Sequence, residues 1–174
     1  IEKLSYLKME NTRFVCDYKE KKIPDNTGID NLQFLFSANK NSSLQPVSDI
    51  ASGGEISRLM LCLKAMITGA VALPAIIFDE IDTGTSGDVA DMVGAIMKEM
   101  SSDMQVIVIT HLPQIASKGD VHFKVYKEET DLEMTTNIKV LTSSEKIEEI
   151  AGMLSGAKIT KEALQNARVM LGVQ

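Results

Sequence analysis

The amino-acid sequence predicts an α/β fold: a mostly parallel sheet covered by helices, with some antiparallel strands. Two short apolar runs, 75–78 and 106–109, lack polar alternation, which is typical of strands buried on both faces of a parallel sheet. An amphipathic pattern over 88–100 predicts a helix between them. Alternating residues over 121–127 and 133–141 indicate strands that pair as an antiparallel hairpin.

The N-terminal part is predicted to contain the end of a helix followed by two strands. Apolar residues fall at helical spacing within 1–10, as in the last turns of a longer helix. Aromatic and β-branched residues over 11–19 and 32–38 favour strands, and residues 24–28 have turn chemistry. A polar stretch then leads into a loop that ends at Ile50.

The later part of the chain is predicted to close with two capped helices. Thr142 and Glu145 have the spacing of a capping box, and Thr160 is a favourable N-cap. The further predicted elements are a helix from Glu55 to about residue 69, a short helix near 113–118, a turn over 128–131, and the closing helices over 144–154 and 161–171.

Length and composition indicate one globular domain spanning residues 1–174. The chain is 44% hydrophobic and 24% charged, which excludes a disordered or fibrous class. No apolar run approaches the roughly 20 residues that span a bilayer, and the N-terminus has no signal-peptide pattern, so no membrane partner is expected. The chain does not start with Met, which indicates a fragment or a processed chain.

The charge and the rare residue types limit the kinds of site that are expected. The net charge of −6 argues against a broad basic face for nucleic acid, so any DNA contact is local or made elsewhere in a longer protein. The two cysteines, Cys16 and Cys62, are predicted to be buried free thiols. Only two histidines are present, and no zinc-type spacing occurs.

The first candidate cluster is Ser52-Gly53-Gly54-Glu55, at the predicted start of a helix. One interpretation is structural, because Ser52 and Glu55 have capping-box spacing and glycines allow a tight turn. A cap does not need two glycines, however, and bare backbone N–H groups beside a serine hydroxyl form a ready anion site. For this cluster taken alone, helix capping and phosphate binding are both possible interpretations.

The second candidate cluster is Asp79-Glu80, directly after the apolar run 76–78. Open α/β sheets bind their ligands at the carboxyl ends of the strands. Asp79 there would hold Mg²⁺, directly or through water, and Glu80 would polarise a water for attack on a γ-phosphate. The alternative is a strand that simply ends in polar residues.

The third candidate is the pair Thr110-His111, which follows the next apolar run. A histidine in this position is often a hydrogen-bonded structural residue. Because it follows the strand next along the chain from Glu80, His111 could instead meet the same ligand and sense or stabilise a γ-phosphate.

Taken together and in this order, the three clusters resemble the second half of an ATP-binding-cassette (ABC) ATPase. Residues 52–55 match the signature motif, Asp79 the Walker B aspartate, Glu80 the catalytic glutamate and His111 the switch histidine. Each motif alone is weak, whereas their order and spacing are specific.

The wider sequence resembles the RecN family, SMC-like members of the ABC ATPases. The resemblance covers nearly the whole chain, and it is carried by residues 34–39, 51–58, 77–87, 110–116, 122–125 and 149–156. It implies a P-loop NTPase fold, the C-terminal lobe of an ABC ATPase head, with a long coiled coil entering just before residue 1. It also implies two heads that close around two ATP molecules with Mg²⁺, in bacterial DNA double-strand break repair and recombination. The expected location is the bacterial cytoplasm, at the nucleoid.

One motif of the family does not occur in this chain. There is no Gly-x-x-x-x-Gly-Lys-Ser/Thr phosphate-binding loop, which the family carries in an N-terminal lobe before the coiled coil. We therefore expect this lobe alone to be inactive as an ATPase. Its expected partners are the N-terminal lobe, a second copy of the head, and DNA through the full-length protein.

The resemblance divides the site residues between two subunits. Ser52 and Gly54 would face the γ-phosphate bound by the opposite subunit, whereas Asp79, Glu80 and His111 would serve their own. Transporter cassettes have an aspartate where this chain has Ser86, so no role is carried over there. Asp82 is instead a nearby candidate for dimer contacts.

Two alternatives to a RecN-like ATPase remain open from the sequence. The chain could be a non-catalytic interaction module that has kept an ABC-like fold, or it could be the head lobe of another SMC-like protein. The presence of all three clusters argues against a site that has lost its catalytic activity, because an inactive site has no physical need for an Asp-Glu pair.

Overall fold

The computed structural model describes residues 2–50, 53–68, 71, 73–79, 81–82, 84–85, 87–129, 134–156 and 158–173. In chain order the elements are α1 (Glu2–Tyr6), β1 (Arg13–Asp25), β2 (Gly28–Ser37), β3 (Gln45–Pro46), a 3₁₀ turn (Val47–Asp49), α2 (Gly53–Thr68), β4 (Ala75–Asp79), α3 (Gly87–Met100), β5 (Gln105–Ile109), α4 (Pro113–Ala116), β6 (Phe123–Glu129), β7 (Met134–Val140), α5 (Ser143–Ser155) and α6 (Lys161–Leu171).

The chain divides into two compact units. The first unit comprises Ile1–Pro74 and Glu80–Val93, and the second comprises Ala75–Asp79 and Gly94–Gln174. The assignment of residues 1–174 to one lobe of a head stays a prediction from the sequence. None of the described helices is both long and apolar enough to cross a membrane.

The first unit contains a long antiparallel hairpin, and α1 contacts α2. β1 pairs with β2 in a register that sets Phe14 opposite Phe36, and the rings of Phe14 and Phe34 stack with centroids 5.6 Å apart. Phe36 is buried at the base of the hairpin, while most of the remaining strand residues are exposed. Cys16 lies in this exposed part, so the prediction of a buried thiol was wrong for Cys16 and is confirmed for Cys62.

Helix α2 is held by an apolar face and by one polar contact with the N-terminal segment. Leu59 and Leu61 are buried on α2, as are Leu4 and Leu7 near α1. The Arg58 Nε–H donates to the Met9 sulfur at 3.2 Å, which ties the first turns of α2 to that segment. These contacts fix the position of the helix whose start carries the double glycine.

In the second unit, β4 and β5 form a parallel pair, and the remaining strands of this unit, β6 and β7, pair antiparallel. One face of the parallel pair is covered, since Phe78 is buried. The other face is open: Ile77, Ile107 and Ile109 are 60%, 42% and 55% exposed. The sequence therefore predicted the α/β class, and the described part of the chain contains the expected parallel strands, antiparallel strands and helices. One face of the parallel pair is exposed, whereas burial on both faces was expected.

The two closing helices pack on each other and have the predicted caps. Ile150 and Ala151 of α5 form a buried cluster with Ala163 and Ala167 of α6. At the start of α5, the Thr142 hydroxyl accepts from the Glu145 backbone N–H, and the Glu145 carboxylate accepts from the Thr142 backbone N–H. The Thr160 hydroxyl caps α6 by accepting from the Ala163 N–H at 3.1 Å.

The α5 cap predicts a specific dependence of stability on pH. Lys139, together with the Thr142 N–H and hydroxyl, lowers the pKa of Glu145 from 4.5 to about 2. Because the folded-state pKa is depressed, the stabilisation is present above about pH 4.5 and is lost as the pH falls toward 2. Glu145→Gln should therefore be less stable than the wild type at neutral pH, with the difference shrinking over that range.

Denaturant unfolding at a series of pH values measures this difference. Glu148→Gln removes a carboxylate from the same helix outside the cap. The free energy of unfolding of this control variant should depend on pH in the acid range as that of the wild type does. A Glu145→Gln protein whose acid profile runs parallel to that of the wild type would show that the cap does not titrate in this range.

Candidate nucleotide site

Asp79 and His111 lie at the same edge of the parallel pair. β4 and β5 run in register from Ala75 opposite Gln105 to Asp79 opposite Ile109, so the two strands end level with each other. Asp79 is the last residue of β4, and His111 follows the end of β5 after Thr110. Both are exposed, and the carboxyl ends of parallel strands are the usual position of ligands in α/β sheets.

The loop that carries His111 is held by local backbone bonds. The Leu112 N–H donates to the Thr110 hydroxyl at 3.0 Å, and the Ile115 and Ala116 N–H groups donate to the Leu112 carbonyl. Pro113 then starts α4 at a position where a missing N–H costs nothing. The chain between β5 and α4 is therefore a short, bonded corner with His111 at its centre.

In the first unit, the double glycine begins α2 as the sequence predicted. Gly53 is exposed at the first position of the helix, and Gly54 and Glu55 are partly buried behind it. The first N–H groups of a helix have no partner within that helix, which is the physical basis of anion binding at such a position. Ser52 lies outside the described residues, so its half of the predicted capping box is not described.

The loop after β4 belongs to the first unit and turns tightly. Ile81, Asp82 and Thr85 are buried, and both the backbone N–H and the hydroxyl of Thr85 donate to the Asp82 carbonyl, at 3.0 and 2.8 Å. The side chain of Asp82 is part of this buried loop, with Asp82 only 2% exposed. The role of Asp82 in subunit contacts stays a prediction from the sequence.

The structure thus places the predicted site residues in two groups. Asp79 and His111 share one strand edge in the second unit, and Gly53, Gly54 and Glu55 form a helix start in the first. Glu80 lies outside the described residues, and its catalytic role stays a prediction from the sequence.

The described residues are compatible with a magnesium ion that is held mainly by a nucleotide. No cluster of three or more His, Cys, Asp or Glu side chains in the described ranges is placed to hold a metal ion alone. Mg²⁺ in nucleotide sites is usually bound by one or two carboxylates, with phosphates and waters as the other ligands. The exposed Asp79 at the strand edge could provide such a carboxylate.

One residue of this region received no role from the sequence. Gly84 approaches the start of α2 so closely that a Cβ on Gly54 would lie 3.0 Å from the Gly84 carbonyl oxygen. The only sequence signal was a glycine in the loop after Asp79-Glu80, and such a glycine is equally compatible with an ordinary turn.

Comparison with known proteins gives concordant results from sequence and structure. No family model matches the chain. It is 45% identical over 168 residues to the DNA repair protein RecN of Rickettsia bellii, covering 97% of this chain and 30% of that protein. It is 38% identical over 174 residues to RecN of Halalkalibacterium halodurans, covering 98% of this chain and 31% of that protein. The chain therefore spans about a third of the length of these curated relatives.

The fold is that of SMC head domains. A solved structure from work on ATP-driven dimerization and DNA-stimulated activation of SMC ATPases superposes with a TM-score of 0.57, at 18% identity, covering 90% of this chain and 89% of that one. The chain therefore belongs to the RecN family, and it corresponds to the C-terminal lobe of a RecN protein.

Proposed function

We propose that this chain supplies the water-activating half of an ATP-hydrolysing site in a RecN-like DNA repair protein. The observation that carries the proposal is that β4 and β5 end at paired residues, Asp79 and Ile109. Asp79 and His111 therefore lie at the same edge of the parallel pair. The order of the signature residues, the Asp-Glu pair and the histidine supports it, as do the RecN relatives.

Each residue of the strand edge has a distinct proposed role. Asp79 would hold a nucleotide-bound Mg²⁺, directly or through a water, and that ion would supply charge neutralisation for the phosphates. Glu80 accepts a proton from the attacking water, and His111 donates to an oxygen of the γ-phosphate. A general base of this kind contributes roughly 10²–10⁴-fold to the rate.

The start of α2 is proposed to act on a different ATP molecule. Ser52, Gly53, Gly54 and Glu55 would present the hydroxyl and backbone N–H groups of the signature motif to a nucleotide bound by a second copy of the head. The structural relative from work on ATP-driven dimerization of SMC ATPases supports such an arrangement. In this proposal ATP closes a dimer with a composite site at each end of the interface.

The open face of the β4–β5 pair supports a partner lobe in the same protein. Three isoleucines are exposed there, and isoleucine side chains are normally among the most buried. The chain also lacks the glycine-rich loop and lysine that cradle β- and γ-phosphates. We propose that an N-terminal lobe both covers this face and provides that loop.

DNA is proposed as a partner of the full-length protein rather than of this lobe alone. The net charge of −6 offers no broad basic surface for phosphate neutralisation. The names of the RecN relatives connect the family with DNA repair, and recombination and double-strand breaks are the proposed context.

The catalytic proposal predicts a large effect of Glu80→Gln in the full-length protein. The amide cannot take the proton of the attacking water, so ATP turnover should fall by roughly a hundredfold or more. Because nucleotide binding does not need that proton transfer, ATP-bound dimers should accumulate. Steady-state phosphate release and size-exclusion chromatography with ATP measure the two effects.

The matched control is Glu148→Gln, the same chemical change at an exposed position of α5. It should leave turnover and dimerisation at wild-type levels. Unchanged turnover in the Glu80→Gln protein would remove Glu80 from the catalytic role, and turnover absent from the wild type itself would favour a non-catalytic module.

The partner-lobe proposal predicts a loss of association when the open face is made polar. Ile107→Ser places a hydroxyl at the centre of the exposed isoleucines, so binding to a separately expressed N-terminal lobe should weaken by roughly tenfold or more, since a buried isoleucine contributes about 1.5–3 kcal/mol. Calorimetric titration of the two lobes measures the affinity.

Val169→Ser is the control for this experiment, because Val169 on α6 is 71% exposed and lies outside the β4–β5 face. It should bind the partner lobe as the wild type does. Equal affinities for Ile107→Ser and the wild type would mean that the partner lobe does not cover this face.

A further inference from the structure

A second histidine lies at the far end of the segment that carries His111. This segment, 110–122, joins β5 to β6 and contains α4. His111 is near its start, and His122 is its last residue, directly before β6. The function proposed above gives His122 no role, although His122 opens one of the stretches that resemble the RecN family. The chain contains no other histidine.

The His122 ring donates a hydrogen bond to the backbone just after α4. Its Nε2 lies 3.1 Å from the Gly119 carbonyl oxygen, and because a carbonyl oxygen only accepts, Nε2 carries a proton. The ring also packs on Gly119, where a Cβ would lie 3.4 Å from the His122 Cδ2. Burial lowers the pKa of His122 and Lys146 adds to this effect, whereas hydrogen bonds to the Gly119 and Ala116 backbone oppose it. At neutral pH the ring is therefore mainly neutral, with its single N–H on Nε2.

Backbone hydrogen bonds connect the end of α4 with its start. The Gly119 N–H donates to the Ala116 carbonyl at 3.1 Å, and the Ala116 N–H donates to the Leu112 carbonyl at 3.0 Å. Leu112 is the residue that follows His111. Because α4 is only about one turn long, a displacement of its last residue also moves its first residue. The position of the His122 ring is thus linked to that of His111 through the backbone of α4.

The C-terminal part of α3 supports one side of α4 but does not fix its orientation. A Cβ on Gly94 of α3 would lie 3.3 Å from both the Gln114 carbonyl oxygen and the Ile115 Cα, so the two helices are in close contact. This contact prevents α4 from moving closer to α3. It has no preferred direction, however, and a small rotation or sliding of α4 would preserve it. The hydrogen bond from His122 is directional and opposes such a movement.

The backbone of His122 is itself anchored to neighbouring elements. The Leu141 N–H donates to the His122 carbonyl at 2.9 Å, which extends the pairing of β6 with β7 by one step. Close by in the chain, Asp120 forms an ion pair with Lys98 of α3, and its carbonyl accepts from Lys146 of α5. His122 therefore bonds to the end of α4 from a position that β7, α3 and α5 all support.

We propose that His122 is a positioning residue for His111, which it orients through α4. This inference rests on the proposed function, in which His111 donates to an oxygen of the γ-phosphate, and it identifies the group that sets the direction of that donation. His122 acts from the opposite end of α4 and does not contact the nucleotide. The tolerance for error is small, because a misplacement of about 1 Å can cost roughly a hundredfold in rate.

Two variants of similar size test the hydrogen bond in the full-length protein. Glutamine can place an amide N–H near the position of Nε2, whereas methionine fills a similar volume without a donor. His122→Met should lower kcat for ATP hydrolysis by about tenfold, because His111 loses its orientation. His122→Gln should stay within about twofold of the wild-type kcat, and both variants should bind ATP within about twofold of the wild type. Phosphate release at saturating ATP measures kcat, and titration with a fluorescent ATP analogue measures the affinity.

A double-mutant cycle distinguishes positioning from a general packing role. His111→Ala should lower kcat by itself. Adding His122→Met to this variant should cause no further loss, because His122 acts only through His111. A packing defect would instead lower kcat by the same factor whether or not His111 is present. Thermal unfolding of the four proteins verifies that each is folded at the assay temperature.

His122→Asn provides a second test should His122→Met fail to fold. The asparagine amide is one carbon shorter than that of glutamine, so it keeps a polar side chain but does not reach the Gly119 carbonyl. This variant should lower kcat by about as much as is expected for His122→Met, again with ATP affinity unchanged.

The inference is overturned by a wild-type kcat in folded His122→Met or His122→Asn, or by a loss in His122→Gln as large as that in His122→Met. A further loss when His122→Met is added to His111→Ala also overturns it. Each of these results leaves the proposed function intact if His111→Ala and Glu80→Gln still lower turnover. Wild-type turnover in His111→Ala would instead contradict the proposed role of His111, and this inference with it.

Discussion

The in-register parallel pairing of β4 with β5 is the constraint on which the candidate site depends. Because the two strands end level, the polar residues that follow them emerge at one edge, where Asp79 meets the corner that carries His111. A slip of one residue in this pairing would turn the side chains of one strand to the opposite face of the sheet. Phe78, which is buried on one face of the pair, opposes such a slip because it would lose its burial.

The sequence predicted those parts of the fold that leave a local pattern. The solid apolar runs indicated β4 and β5, their abrupt ends located Asp79 and His111, and the capping residues Thr142 and Thr160 marked the starts of α5 and α6. Each of these signals lies within a few residues of the feature that it predicts, so no tertiary information was needed.

Features that depend on distant residues were missed or only partly predicted. β1 extends to Asp25, beyond the predicted end near residue 19. It pairs with β2 up to Glu20 and, after a shift of register, again at Asp25 opposite Gly28, and this polar outer part has no apolar period that would reveal it. The burial of Asp82 and the approach of Gly84 to Gly54 result from long-range packing within the first unit. The apolar runs predicted burial on both faces, whereas one face of the β4–β5 pair is exposed in the described part of the chain. Under the proposed function, an N-terminal lobe covers that face.

Under the proposed function, the lobe is incomplete by itself: its water-activating residues lie at one strand edge, and the phosphate-binding loop is on another part of the protein. The most direct test is phosphate release from ATP by this lobe, by an N-terminal lobe that carries the phosphate-binding loop, and by a mixture of the two, each with and without DNA. The account predicts hydrolysis in the mixture only. Hydrolysis by this lobe alone, or none in a mixture in which the two lobes have associated, would contradict it.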